Sequence, residues 1–440
     1  MENIAKNNYA DEPRFRGIWY ANQKQQDAYA WKYSGGLATY PQQIIPLAVY
    51  SSDVNRTYFT YAGSDSVNHI QNTVAYLDHN TGCFSNPHVV LCRHTNDAHY
   101  NGTLALSPDG HILLFCNSHG IGGEMTRDDP TYGKAYIYRS VRPHDISSFE
   151  CIRTDNFSYS QVWPVQGKGL IWLHTRYLEG NAGRPLYCSR SEDGVNWSEP
   201  APIVHMAQGS YQVSWPCGDR IVTLFDYHPM KGGLNARTNL YALETRDLGR
   251  TWHNLSGESP DLPLVEPKNP ALERDWESEG MLVYLKDMAF DHAGNVYVLL
   301  LTSHNCWSGP EGNPRMLQVG RRENGRWIWS PVCEVDHNYD HGCLWIHDDN
   351  TWEVIAPIGP GAHPGTTGGD IQCWRSCDQG NSWQKVRDLT SDATTQHTYV
   401  RKPLDAHPDF WAFWANGDSI QKSVSNLFIA SKSGRVRQLV

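Results

Sequence analysis

Apolar and polar residues alternate in short runs along almost the whole chain. IIPLAVY (44–50), TYFTYAG (57–63), TLALSP (103–108), HILLFCNS (111–118), AYIYRS (135–140) and GLIWLHTRY (169–177) are examples from the first half. RIVTLFDY (220–227), NVYVLLLTS (295–303), EVIAPIG (353–359) and FWAFWANG (410–417) continue the pattern. Each run is rich in Val, Ile, Tyr, Phe or Trp and is bounded by Gly, Pro, Asn or Asp. Period-two alternation between turn residues is the mark of half-buried strands, and helical periodicity is scarce. The pattern predicts an all-β protein. No Pro/Ser-rich linker or shift of composition divides the chain, so residues 1–440 are expected to form one domain.

A repeat sharpens the fold class. Ser191-Glu192-Asp193-Gly194-Val195-Asn196-Trp197 reads S-x-D-G-x-x-W. Thr245-Arg246-Asp247-Leu248-Gly249-Arg250-Thr251-Trp252 and Ser376-Cys377-Asp378-Gln379-Gly380-Asn381-Ser382-Trp383 both read S/T-x-D-x-G-x-S/T-W. Asp and Ser or Thr side chains bind backbone N–H groups in a turn, Gly supplies a positive φ, and Trp packs over the hairpin. Asp193, Asp247 and Asp378 are therefore read as turn residues and not as catalysts. The three segments match the Asp-box of sialidase-like propellers. Their spacing is 54 residues and then 131, two steps of about 65. That step suits one four-stranded blade, and the chain length then gives a β-propeller of seven blades of four-stranded antiparallel sheets.

Composition removes several classes of function. Of 440 residues, 37 are Lys or Arg and 47 are Asp or Glu, a net charge of −10. No basic block is present, so the footprint of a nucleic-acid binder is missing. No run of apolar residues is long enough for a membrane-spanning helix. The N-terminus MENIAKNNYADEPRFRG has no apolar signal core, and the 11 Cys are scattered and odd in number. Both point to free thiols in a reducing compartment. The expectation is a cytoplasmic protein, or a secreted one whose signal has been removed.

Histidine and tyrosine carry the candidate chemistry. His99 in DAHYN lies 20 residues before His119, one hairpin out and back. Tyr159 precedes Arg176 by 17 residues, and Tyr211 precedes His228 by 17. Consecutive blades thus repeat a proton-transfer group where a hairpin begins and a cation-capable group where it returns. A propeller gathers equivalent strand ends around one funnel. The close carboxylate pair of ordinary glycosidases is missing from this set, as are a serine nucleophile elbow and a phosphate-cradling glycine loop. His, Tyr and Arg together suit abstraction of a proton α to a carboxylate, the chemistry of uronate β-elimination.

The same segments resemble a known family. DAHYN, SHG and AYIYRSVRPHDI, with DHNYDHGCLWI, GTTGGDIQCWRSCDQGNSW, QHTYVRKPLDAHPDFWAFWANGD and KYSGGLATY, are similar to the BNR-repeat, Asp-box propeller polysaccharide lyases. That group includes ulvan lyases and lyases that remove rhamnose from glucuronate in gum arabic. The resemblance implies cleavage of a rhamnosyl-α-1,4-glucuronate linkage in an acidic polysaccharide or oligosaccharide. It places proton transfer on His99 and Tyr159, assistance at the acidic group on His119 and Arg176, and substrate binding on Tyr211 and His228. Asn101 and Arg401 are added to substrate binding. Which of His99 and Tyr159 is base and which acid stays open. H5 and O4 of glucuronate lie on one side of the ring, so one residue could serve both steps.

His304, Cys306, Cys333, His337, His341 and Cys343 form a second cluster. Zinc takes four Cys or His ligands, although the spacing is not that of a zinc finger and buried Cys are often plain core residues. Some lyases of the resembled group carry a structural metal, so a structural zinc or calcium ion is expected here and no cofactor for the chemistry. Two other functions compete. One is a glycoside hydrolase of the propeller α-L-rhamnosidase type, whose histidine follows a GG-x-x-TY motif; no His follows Gly35-Gly36-Leu37-Ala38-Thr39-Tyr40. The other is a non-catalytic sugar-binding propeller with Trp and Tyr platforms.

Overall fold

The computed structural model describes residues 15–36, 38–65, 69–120, 131, 133–178, 183–391 and 394–439. Strands and turns account for the regular structure, and the only helical pieces among the described residues are short 3-10 turns. Seven sheets succeed one another, each from a contiguous stretch paired to its neighbours in sequence. Their first strands are Ala48–Ser51, Gly102–Leu106, Ser158–Val165, Gln212–Cys217, Leu282–Phe290, Cys343–Ile346 and Gln396–Arg401. First strands of the first six sheets abut in turn, and that of the seventh packs on Trp352–Gly359 of the sixth, so they ring a central axis. The ring closes where Leu404 pairs with the first sheet: its carbonyl accepts from Tyr50 N at 3.0 Å and its N–H donates to Ala48 O at 2.9 Å. This is an all-β propeller, the class the repeat predicts. Six of the seven sheets have four strands, and the first has five.

The core lies between sheets. Trp163, Trp172, Trp352 and Trp414 are each fully buried there. At 20–33 cal/mol per Å² of apolar surface, roughly, such side chains dominate the packing energy. The three Asp-boxes form the turns the sequence predicts. Asp193 accepts from the N–H of Val195 and of Asn196, both at 2.8 Å. Asp247 and Asp378 accept from Thr251 N and Ser382 N at 2.9 Å. Gly249 has φ +76° and its added Cβ would meet Cys188 Sγ, so that position needs glycine.

One element has no precursor in the blade repeat. Gly17–Lys24 and Trp31–Gly36 make an antiparallel hairpin whose first strand also pairs with Val424–Ser425. The hairpin brings Tyr20 and Tyr33 to the funnel mouth. All eleven cysteines are free thiols.

Candidate active site

His99 sits in the 3-10 turn Ala98–Tyr100 that leads into the strand Gly102–Leu106. Asp97 caps this turn, accepting from His99 N at 3.0 Å. The hairpin returns through Ile112–Cys116 and delivers His119 beside His99, with the imidazoles stacked 4.0 Å apart at 17°. Asp97 binds both rings, Oδ1 to His99 Nδ1 and Oδ2 to His119 Nδ1, each at 2.5 Å. An ionised carboxylate only accepts, so each Nδ1 carries a proton, and a neutral ring then keeps its lone pair on Nε2. Burial alone would raise the Asp97 carboxyl, but the two imidazoles hold it well below its ordinary range. Burial, then the neighbouring His119, push His99 down, so His99 is a neutral base near pH 7.

Tyr159 faces His99 edge-on, 5.8 Å between ring centroids. It occupies a bulge in its strand, where pairing jumps from Ser158 to Gln161, and its φ is +52°. A left-handed conformation in a non-glycine residue is costly, and it is stored here at the funnel wall. Burial raises the Tyr159 phenol well above its usual value, so it stays protonated. Its hydroxyl lies 3.3 Å from that of Tyr211. Tyr211 meets the ring of His228 edge-on at 4.9 Å. Burial pushes His228 down to about 4. His228 is thus a neutral side chain whose Nδ1 accepts from Arg184 at 3.3 Å.

Two guanidinium groups flank the tyrosines. Arg184 stands 4.5 Å from the centre of the Tyr211 ring and 5.5 Å from that of Tyr159. Arg237 stands 5.1 Å from Tyr211 and donates to Tyr339 Oη at 2.6 Å. Their hydrogen bonds go to phenols, an imidazole and a backbone carbonyl and not to carboxylates. Beside them opens a funnel of about 310 Å³ with its solvent-open mouth included, lined by His99, Tyr159, Tyr211, Arg237, Tyr33 and Tyr40 among others, with no Asp or Glu among the described residues of its wall.

Thus His99, His119, Tyr159, Tyr211 and His228 come together as the spacings predict. Arg176 does not line the void. Its guanidinium is held by Asp155 at 2.8 Å, a carboxylate it shares with Arg153. Arg237 does line the void, and Arg184 lies against the rings of Tyr159 and Tyr211 without lining it. Asn101 and Arg401 act behind the wall. Asn101 donates to the carbonyls of Ala38 and Tyr40 at 3.3 and 3.0 Å. Arg401 donates to those of Thr39, Pro41 and Gln42. Both fix the segment that presents Tyr40.

The predicted Cys/His cluster is not assembled. Among the described residues, no three of His304, Cys306, Cys333, His337, His341 and Cys343 offer ligand atoms within 4.8 Å of one another. His304 is exposed. Both nitrogens of His337 are engaged, by Ser308 Oγ at 2.8 Å and by Tyr339 N at 3.1 Å. His341 instead lines the funnel, stacked on Tyr399. Two other groups have compatible ligand atoms: His79, His407 and Asp409 at the ring closure, and Asp97, His99 and His119 themselves. In the second, Asp97 already satisfies both Nδ1 atoms by hydrogen bonds. Sequence reasoning missed Asp97 as the holder of both imidazoles, although it is the first residue of DAHYN. It also missed Tyr339, which lies within the quoted segment DHNYDHGCLWI, and Arg184 and Arg237, for which no periodic signal exists.

The family model of BNR repeat-containing family members matches residues 56–332, more than half of the chain. The chain belongs to this BNR repeat-containing family. A curated relative, an ulvan lyase of Nonlabens ulvanivorans, is 25% identical over 348 residues, 71% of this chain and 69% of that protein. A solved ulvan lyase of polysaccharide lyase family PL25 superposes with a TM-score of 0.75 at 15% identity, covering 95% of each chain. A second structure of that kind, bound to -[GlcA(1-4)Rha3S]-, gives 0.74 at 16% identity, covering 90% of this chain and 94% of the other. The resemblance read from the sequence motifs, to BNR-repeat propeller lyases, holds.

Proposed function

We propose that the protein is a polysaccharide lyase that cleaves a rhamnosyl-α-1,4-glucuronate linkage by β-elimination in this funnel. The observation that carries the reading is the Asp97-held pair His99–His119 beside a protonated Tyr159, with Arg184 and Arg237 hydrogen-bonded, among the described residues, to no carboxylate. The ulvan lyase relative, and the bound glucuronate–rhamnose chain of the PL25 structure, support an acidic polysaccharide as the substrate class.

The uronate carboxylate sits against Arg184 and Arg237, whose charge stabilises the enolate-like anion that forms when C5 loses its proton. His99 Nε2 takes H5. The C5–H electron pair becomes the C4=C5 double bond, the C4–O4 bond breaks, and Tyr159 gives its proton to the departing rhamnosyl oxygen. His99 and Tyr159 stand side by side, which suits H5 and O4 on one side of the glucuronate ring. His119 and Asp97 orient and polarise His99; His228 and Tyr211 hold Arg184. Only protein groups are used in these steps. An ordinary retaining or inverting hydrolase uses two carboxyl groups about the scissile bond, and the described residues of the funnel wall supply none. The experiment is incubation with ulvan and with gum arabic while following the ultraviolet absorbance of the unsaturated uronate. Product absorbance is the expected result. Rhamnose release without it would mean hydrolysis, and binding without either would mean a sugar-binding propeller.

A further inference from the structure

Tyr20 separates the funnel from a second hollow. Its ring meets His99 edge-on at 6.0 Å, and it also forms part of the wall of a void of about 1000 Å³ along the N-terminal hairpin. Arg16, Trp19, Trp31, Asn96 and Lys422 contribute to the same wall, and Asn96 directly precedes Asp97. Like the funnel wall, this wall is aromatic and cationic: in a chain of net charge −10, its described residues include two cations and three aromatic rings and no carboxylate. Trp31 is held in place, its indole N–H donating to Ile420 O at 3.0 Å. Trp19 is tied through its backbone to Ser423. Lys422 is exposed at the rim.

We propose that this hollow is a saccharide subsite that seats an anionic sugar of the same polymer chain whose uronate occupies the funnel. The proposal rests on the lyase reading and extends it to the units beyond the cleaved bond. Aromatic faces stack on the apolar side of sugar rings, while Lys422 at the rim meets a carboxylate or a sulfate ester. Tyr20 lines the hollow and packs on His99 and Tyr40 of the funnel wall, so a chain running from one site to the other passes beside it. The auxiliary sheet then has a function of its own: it makes the enzyme prefer long chains.

The test compares kcat/KM on ulvan polymer with that on the shortest oligosaccharide the wild type cleaves, in wild type and Lys422→Glu. The expected result is a loss of about tenfold on the polymer, the size of one lost charge-assisted contact, with the short substrate unchanged. Equal kcat/KM to wild type on both, or an equal fall on both, would overturn the subsite. Sulfated and desulfated polymer, run in parallel, tell which anion is held. A titration of polymer into His99→Ala and His99→Ala/Lys422→Glu gives a readout independent of turnover, and weaker binding by the double variant is expected. Absence of any eliminated product from wild type would instead count against the lyase reading, while the titration would still decide the subsite.

Discussion

The reacting groups owe their states to what surrounds them, and single substitutions should expose this. His99→Ala removes the proposed base and is expected to lower kcat/KM by about a thousandfold, within the usual range for an acid–base group, with the unfolding midpoint kept. Arg184→Ala should lower kcat/KM well beyond Arg176→Ala, because Arg184 faces Tyr159 and Tyr211 while Arg176 is occupied by Asp155. Equal losses in the two would return Arg176 to the site. The acid limb of the pH profile follows His99, which must be neutral to act. Activity is present above its folded pKa and lost as pH falls through it, and burial places that pKa below 6.5. Asp97 favours the protonated ring, so Asp97→Asn should move the acid limb to lower pH while reducing kcat through lost orientation. A pH–rate profile with the limb unmoved or raised would contradict the Asp97–His99 pairing.

At the scale of elements, the hairpins were the legible part. Spacings of 20 and 17 residues are hairpin lengths, so they brought His99 to His119 and Tyr211 to His228 without knowledge of the loops. The Asp-box turns were legible for the same reason, since their hydrogen bonds are local. Asp247→Ala removes the acceptor of Thr251 N, Thr245 Oγ1 and Thr251 Oγ1. It should cost about 1 kcal/mol, comparable to a lost helix cap, with kcat/KM unchanged. Denaturant unfolding checks the first and turnover the second. What stayed hidden lies in irregular connections. Arg184 rides a loop with no period, Arg237 follows a 3-10 turn at 233–236, and the N-terminal hairpin crosses to a strand near residue 424. The Cys/His cluster failed because sequence proximity was taken for spatial convergence; His337 is satisfied within its own turn and His341 turns inward to Tyr399.

At the scale of the molecule, net −10 coexists with a funnel whose wall holds arginine and no carboxylate. Charge is segregated, so an anionic polymer and an acidic protein are compatible. Burial also makes the fold sensitive to acid. His174 and His228 are buried neutral, with pKa values held below the unfolded value by desolvation and, for His228, down to about 4. Their neutral forms are fully compatible with the fold above pH 6.5. Stability is lost as pH falls from there toward the folded values, by up to about 3 kcal/mol for His228. The unfolding midpoint at pH 5 should therefore lie below that at pH 7.5, and an equal or higher one would mean that these rings are not held neutral. The lyase chemistry is tested by the time course of unsaturated uronate formed from rhamnosyl-α-1,4-glucuronate polymer by wild type and by folded His99→Ala. Steady accumulation is expected with wild type and almost none with His99→Ala. Rhamnose released without unsaturated product, or undiminished product from His99→Ala, would contradict it.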